Sequence, residues 1–149
     1  MNKYLVIGNP IDHSLSPKIH NYWFEKYKFK NSIYESKKIE QKDLPAICKK
    51  IKEGELAGAN VTLPFKKLIL PILDILETSA KETQSVNTIF RENGQVIGTN
   101  TDWGGFYQSI VKTLLPAQKN LDDKSIFILG AGGVTASIIY ALKKLGGKI

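Results

Sequence analysis

Cysteine, arginine, histidine and long apolar runs are all scarce in this chain. A lone cysteine, Cys48, rules out a disulfide within the chain and fits a reducing compartment. Beside Ile47 and ahead of Lys49-Lys50 it reads as a small core residue of a helix rather than a reactive thiol. Arg91 is the only arginine among 21 basic residues, so the net charge of +7 is carried by lysine. Lysine lacks the planar fork that reads bases and clasps phosphates, and Lys49, Lys50 and Lys52 fall on the polar side of a helical pattern. The basic balance therefore describes a solvated surface that favours small anionic ligands, and no nucleic-acid partner is expected. The two histidines, His13 and His20, lack metal-ligand spacing, and no metal is expected. No apolar run approaches membrane-spanning length, and Met1 to Ile7 is too short for a signal peptide, so no membrane association and a cytoplasmic location are the expectations.

What is present is enough for a core. An apolar fraction of 42% in 149 residues suits one full α/β domain plus the start of another, without internal repeats. The chain is organised around Gly58-Ala59-Asn60-Val61-Thr62-Leu63-Pro64-Phe65-Lys66-Lys67. Ala59 to Leu63 reads as a short buried strand that breaks at Pro64 into a helix carrying Leu68, Ile69, Ile72 and Leu73. The strand end delivers Asn60, Thr62 and Lys66 to one rim, where ligands of open α/β sheets collect. Lys67 is a solvated lysine. A second strand-to-helix passage, Gly98 to Phe106, brings Asp102 as a partner for Lys66.

Around these, Lys3 to Ile7 reads as a buried parallel strand ending at Gly8-Asn9-Pro10. Ser16-Pro17 marks a helix start with Ser16 at the N-cap, leaving Ser14 outside the helix with no capping duty. Ile19, Trp23 and Tyr27, with Tyr22 alongside, recur at helical spacing and are expected to pack into the core. Phe29 to Lys37 holds a strand centred on Ile33 and Tyr34. Asp43 is expected to cap a helix through Glu53 with Leu44, Ile47, Cys48 and Ile51 inward. Asp74 to Gln84 reads as helix. Val86 to Arg91 and Gln95 to Gly98 form a hairpin over Asn93-Gly94. Asp102 opens a helix to about Leu115, and Pro116 to Asp123 reads as a domain boundary. Lys124 to Leu129 reads as a buried strand running into Gly130-Ala131-Gly132-Gly133-Val134 and a helix that ends near Gly146-Gly147.

Lys66 can protonate a carbonyl oxygen or stabilise a developing alkoxide, with Asp102 orienting its ammonium and accepting a substrate hydroxyl. Two serine hydroxyls, Ser14 and Ser16, beside a helix N-terminus form an anion site without a cation. Gly130 to Val134, between strand and helix, has the setting of a loop that cradles pyrophosphate, with Thr135 where a third glycine often stands.

Four stretches together, Asn9 to Pro17, Asn60 to Lys66, Asn100 to Asp102 and Gly130 to Gly133, resemble shikimate dehydrogenase in order and approximate spacing. The resemblance implies an α/β substrate domain over residues 1–116, a mostly parallel mixed sheet flanked by helices. Residues 117–149 would be the start of a Rossmann-type NADP-binding domain, with a second strand due at Ile149. It implies Lys66 and Asp102 as the catalytic pair and Ser14 and Ser16 as carboxylate-binding serines. Asn60, Thr62, Asn87 and Asp102 match positions that hydrogen-bond the ring hydroxyls, while Gly130, Ala131, Gly132, Gly133 and Val134 would cradle the cofactor. The implied activity is reversible NADPH-dependent reduction of 3-dehydroshikimate to shikimate, with a small molecule as the expected partner and a monomer or homodimer as the expected state. The alternative is a quinate or dual quinate/shikimate enzyme, against which Ser16 speaks, since quinate-preferring relatives often have Thr there. A non-catalytic shikimate-binding module is the rival from another class. The cofactor's ribose-binding run and a late substrate-contacting glutamine would lie beyond Ile149, so the 149 residues alone are expected to be inactive.

Overall fold

Side chains of the first strand turn alternately to two packed faces of the fold. In β1 (Asn2–Gly8), Leu5 and Ile7 join the main core while Tyr4 and Val6 turn to the other side, as a period of two requires. The structure, a computed structural model, describes residues 1–114, 120–122 and 124–149. It continues through α1 (Ser16–Lys26), β2 (Ser32–Lys38), α2 (Leu44–Glu53), β3 (Gly58–Val61), α3 (Phe65–Leu68), β4 (Ile75–Leu76) and α4 (Thr78–Thr83). Then follow β5 (Thr88–Glu92), β6 (Gln95–Thr99), α5 (Asp102–Thr113) and α6 (Thr135–Lys144).

Six strands form one mixed sheet in the order β2-β1-β3-β5-β6-β4. β1 runs parallel to β2 and β3, β4 runs parallel to β6, and β3/β5 and β5/β6 are antiparallel. The expected hairpin is present, with Asn93 at φ 51° and Gly94 at φ 77°, the double left-handed turn that matches strand twist. On one face, Leu5, Ile7, Ala59, Val61, Ile89 and Val96 pack with Leu44, Ile47, Cys48 and Ile51 of α2. On the other, Val6, Asn60, Thr88 and Thr99 fall in one row across four strands. That row is mostly polar, and the candidate site is built on it.

Several expectations are corrected. The aromatic stripe of α1 is not core: Ile19, Tyr22, Trp23 and Tyr27 are all exposed. The helical period is right but its phase is shifted, because Asn21 and Phe24 face the sheet, where Asn21 bonds the Tyr34 backbone and Phe24 meets Tyr4. Ser16 does not cap α1; the N-cap is Leu15, and the Ser14 Oγ accepts the Ser16 N–H at 3.3 Å, so Ser14 has the local duty denied to it above. Asp43 precedes α2 without capping it, its carboxylate accepting the Glu40 N–H at 2.8 Å instead.

The helix expected through Leu73 is one turn, α3, followed by a 3₁₀ turn, Leu70–Ile72, since Pro71 has no N–H to continue it. Asp74 to Gln84 is not one helix but β4 and then α4. Lys124 to Leu129 is not a buried strand: Phe127 and Leu129 are 87% and 90% exposed. Its ladder consists of a single parallel bridge, Ser125 to Lys148. The expected boundary at Pro116 and the segment through Asp123 lie largely outside the described residues.

Candidate active site

Phe65, buried in the core, anchors the one-turn helix α3 and leaves Lys66 beside it on the rim, while Lys67 is exposed. The backbone of Lys66 is pinned by the Val86 N–H, which donates to its carbonyl at 2.9 Å. Asp102 enters from the opposite side as the first residue of α5, after Thr101 at the N-cap. Thr101 makes no side-chain cap, and the Asp102 carboxylate is engaged by Lys66 and Asn87. Lys66 Nζ lies 2.7 Å from Asp102 Oδ2, with the two side chains 16% and 23% exposed. Partial burial and short distance make this a charge-assisted hydrogen bond with one open side, not a screened surface pair.

Asn87, from the start of the hairpin, holds the other carboxylate oxygen: its Nδ2 donates to Asp102 Oδ1 at 2.8 Å and to Thr101 Oγ1 at 2.9 Å. Its Oδ1 accepts the Thr101 N–H at 2.9 Å. Asn60 joins through its Nδ2, which donates to Asn87 O at 3.2 Å and Thr88 Oγ1 at 3.0 Å. Lys66, Asp102, Asn87 and Asn60 thus form one network. Ser14, Ser16 and Thr62 line a separate hollow of about 290 Å³ with Val6, Ile11 and His13. Val6 is opposite Asn60 in register, so hollow and network adjoin on the same sheet face.

The glycine loop is next to them. A Cβ on Gly133 would stand 2.9 Å from Leu63 Cδ2, the end of an exposed side chain, so the loop comes close to the strand end here. Gly130, Ala131, Gly132, Gly133 and Val134 are all exposed, and no atom crowds Gly130 or Gly132. Val134 at the N-cap of α6 gives no side-chain cap. An uncapped ten-residue helix behind an open glycine loop is the donor set a pyrophosphate takes, so these residues fit the phosphate part of a dinucleotide. Among the described residues, no acidic and histidine cluster suits a metal.

Sequence reasoning missed Tyr34, Thr88, Asn100 and Ser137. Asn100 is 1% exposed and makes three bonds: Nδ2 to Ser85 O at 3.0 Å, and Oδ1 from Asp102 N at 3.0 Å and Ser137 Oγ at 3.2 Å. Its place between Gly98 and Asp102 was the available signal. Next to it the Ser85 hydroxyl is buried without a partner among the described residues. A stranded hydroxyl carries a desolvation penalty of about 1–3 kcal/mol. Ser85→Ala should therefore leave the urea midpoint unchanged or raise it, and a clear drop would mean the hydroxyl has a partner, such as a bound water.

Residues 6–89, more than half of the chain, match the shikimate dehydrogenase substrate binding domain. The chain belongs to that family. A shikimate dehydrogenase (NADP(+)) of Pelagibacter ubique is 49% identical over 142 residues, covering 95% of this chain and 52% of that protein. The crystal structure of shikimate dehydrogenase from Aquifex aeolicus superposes with a TM-score of 0.87 at 42% identity, over 99% of this chain and 54% of that one. The Thermus thermophilus shikimate 5-dehydrogenase, solved with NADP(H) and shikimate, gives a TM-score of 0.84 at 32% identity, over 98% and 53%. The chain spans about half the length of the curated relatives it matches. The expected family and the mixed α/β sheet are thereby borne out. Among the described residues no helix is long and apolar enough to cross a membrane.

Proposed function

We propose that the protein acts as a shikimate dehydrogenase, reversibly reducing 3-dehydroshikimate to shikimate with NADPH. The observation that carries this reading is the Lys66–Asp102 pair at 2.7 Å, its carboxylate held on the other side by Asn87. A simple binding pocket has no need of an ammonium held by a carboxylate whose second oxygen is also fixed. Reducing a ring ketone needs a proton at the carbonyl oxygen, and Lys66 is the group to give it; in the reverse direction it takes the proton back. Asp102 holds the ammonium in place and accepts a substrate hydroxyl, which fixes the ring at the reacting carbon.

Thr62, Asn87 and Asn60 line the ring's polar edge, with Asn60 limited to accepting because both of its amide protons are already given to the protein. Ser14 and Ser16 take the carboxylate by hydroxyl donation. Residues 1–116 form the substrate domain and 117–149 the start of the cofactor domain, with Gly130 to Val134 holding the pyrophosphate. When bound, NADP(H) supplies and receives the hydride. A small-molecule substrate, a cytoplasmic location and a monomer or homodimer complete the reading.

Steady-state turnover of shikimate with NADP⁺ by the complete protein tests it, with quinate and NAD⁺ as the competing pair. The expected result is preference for shikimate and NADP⁺. Tight shikimate binding with no turnover would replace it with a binding module. A further expectation concerns the serines. Ser14→Ala should raise KM for shikimate about 10-fold or more with kcat little changed, because a hydrogen bond to a remote carboxylate contributes roughly 1.5–3 kcal/mol of uniform binding. An unchanged KM would reduce Ser14 to its bond with the Ser16 N–H.

A further inference from the structure

Tyr34 lies on β2, at the outer edge of the sheet, yet is only 3% exposed. Three devices hold it. Asn21 of α1 clasps its backbone from outside, donating to the carbonyl at 2.8 Å and accepting its N–H at 2.9 Å, as a neighbouring strand would. The His20 ring stacks on the phenol at 4.2 Å between centroids and 4° between planes. The hydroxyl reaches across β1 and donates to Asn60 Oδ1 at 2.5 Å. Burial pushes its pKa up to about 12, so it remains a donor throughout the working range.

From that hydroxyl the hydrogen bonds run in one direction. Tyr34 donates to Asn60, Asn60 to Thr88 Oγ1 at 3.0 Å, Thr88 to Asn87 Oδ1 at 3.1 Å, and Asn87 to Asp102 Oδ1 at 2.8 Å. The direction is forced, because Asn60 also faces the Asn87 carbonyl, which can only accept, and so must turn its Nδ2 that way. Such a chain is polarised along its length, and each member holds the next in one orientation.

We infer that Tyr34 is a positioning residue for substrate recognition: its hydroxyl fixes the Asn60 amide and thereby the polar row that ends on Asp102. The inference rests on the proposed function for its substrate, though not for its geometry. Without the phenol, Asn60 keeps its donors but loses what holds its oxygen, and the amide rocks.

Tyr34→Phe in the complete protein is the test, read in two ways. The Asn60 side-chain amide protons, followed by NMR, should be slow to exchange in the native protein and exchange at least about tenfold faster in the variant, as expected when a fixed group begins to open locally. KM for shikimate should rise about 10-fold while kcat changes by less than about 3-fold and KM for NADP⁺ stays put, the pattern of lost ground-state fit. In an Asn60→Ala background, Tyr34→Phe should add almost nothing, because its effect passes through that amide. Unchanged Asn60 exchange overturns the inference whatever the substrate is. So does an unchanged KM in an enzyme that oxidises shikimate, or full additivity with Asn60→Ala. If the native protein turned over no shikimate, the functional reading would fall, and the Asn60 amide would still decide the role of Tyr34.

Discussion

Lys66→Ala in the complete protein lowers kcat by about 100-fold or more, while the binding of shikimate weakens less. A positioned proton donor contributes typically 10² to 10⁴ in rate, and that contribution exists only in the transition state, so it falls on kcat. Asp102 remains in the variant, still held by Asn87 Nδ2, and its carboxylate stays able to accept a hydroxyl under the proposed reading. Asp102 keeps its bond from Asn87 in the variant, so the loss should appear in kcat far more than in the thermal midpoint. Steady-state kinetics with shikimate and NADP⁺ checks this. A kcat near the native value would remove Lys66 from the chemistry.

Asn100→Ala should have the largest effect on stability. Its truncation leaves the Ser85 carbonyl, the Asp102 N–H and the Ser137 hydroxyl without their partner, and the site is 1% exposed, so water does not easily replace it. Buried groups left unpaired cost about 1–3 kcal/mol each, and a total loss of about 3 kcal/mol is expected after partial relaxation. Activity should fall as well, because the Asn100 oxygen holds the Asp102 backbone and also meets α6, the helix that follows the glycine loop. Urea unfolding with an unchanged slope would report the loss, and a change under about 1 kcal/mol would mean that those three groups find other partners.

Much of this site was legible because its chemistry is concentrated in short stretches. Pro64 ends a strand, Asn93-Gly94 demands a turn, and Lys66 and Asp102 stand at strand ends where a sheet gathers ligands. Periodicity also placed Leu44, Ile47, Cys48 and Ile51 inward correctly. What it could not give is phase and partner. Ile19, Trp23 and Tyr27 lie on one face of α1, but apolar character ranked that face above the one carrying Asn21, whose value is a clasp on the edge of β2. Lys124 to Leu129 has strand composition, yet a strand also needs neighbours, and here Lys148 provides one bridge. Tyr34 read as the centre of a strand because nothing local reveals that its hydroxyl crosses β1 to Asn60. Pro71 was visible all along, and its missing N–H explains why α3 stops after one turn.

The central claim is that Lys66 and Asp102 act as one device, and a double-mutant cycle on kcat tests it most directly. Lys66→Ala and Asp102→Asn are measured singly and together in the complete protein with shikimate and NADP⁺. An ammonium and the carboxylate that orients it at 2.7 Å should behave as a unit, so the double variant should lose little more than the worse single one. Losses that multiply in full would contradict the account, because they would mean that each residue contributes on its own.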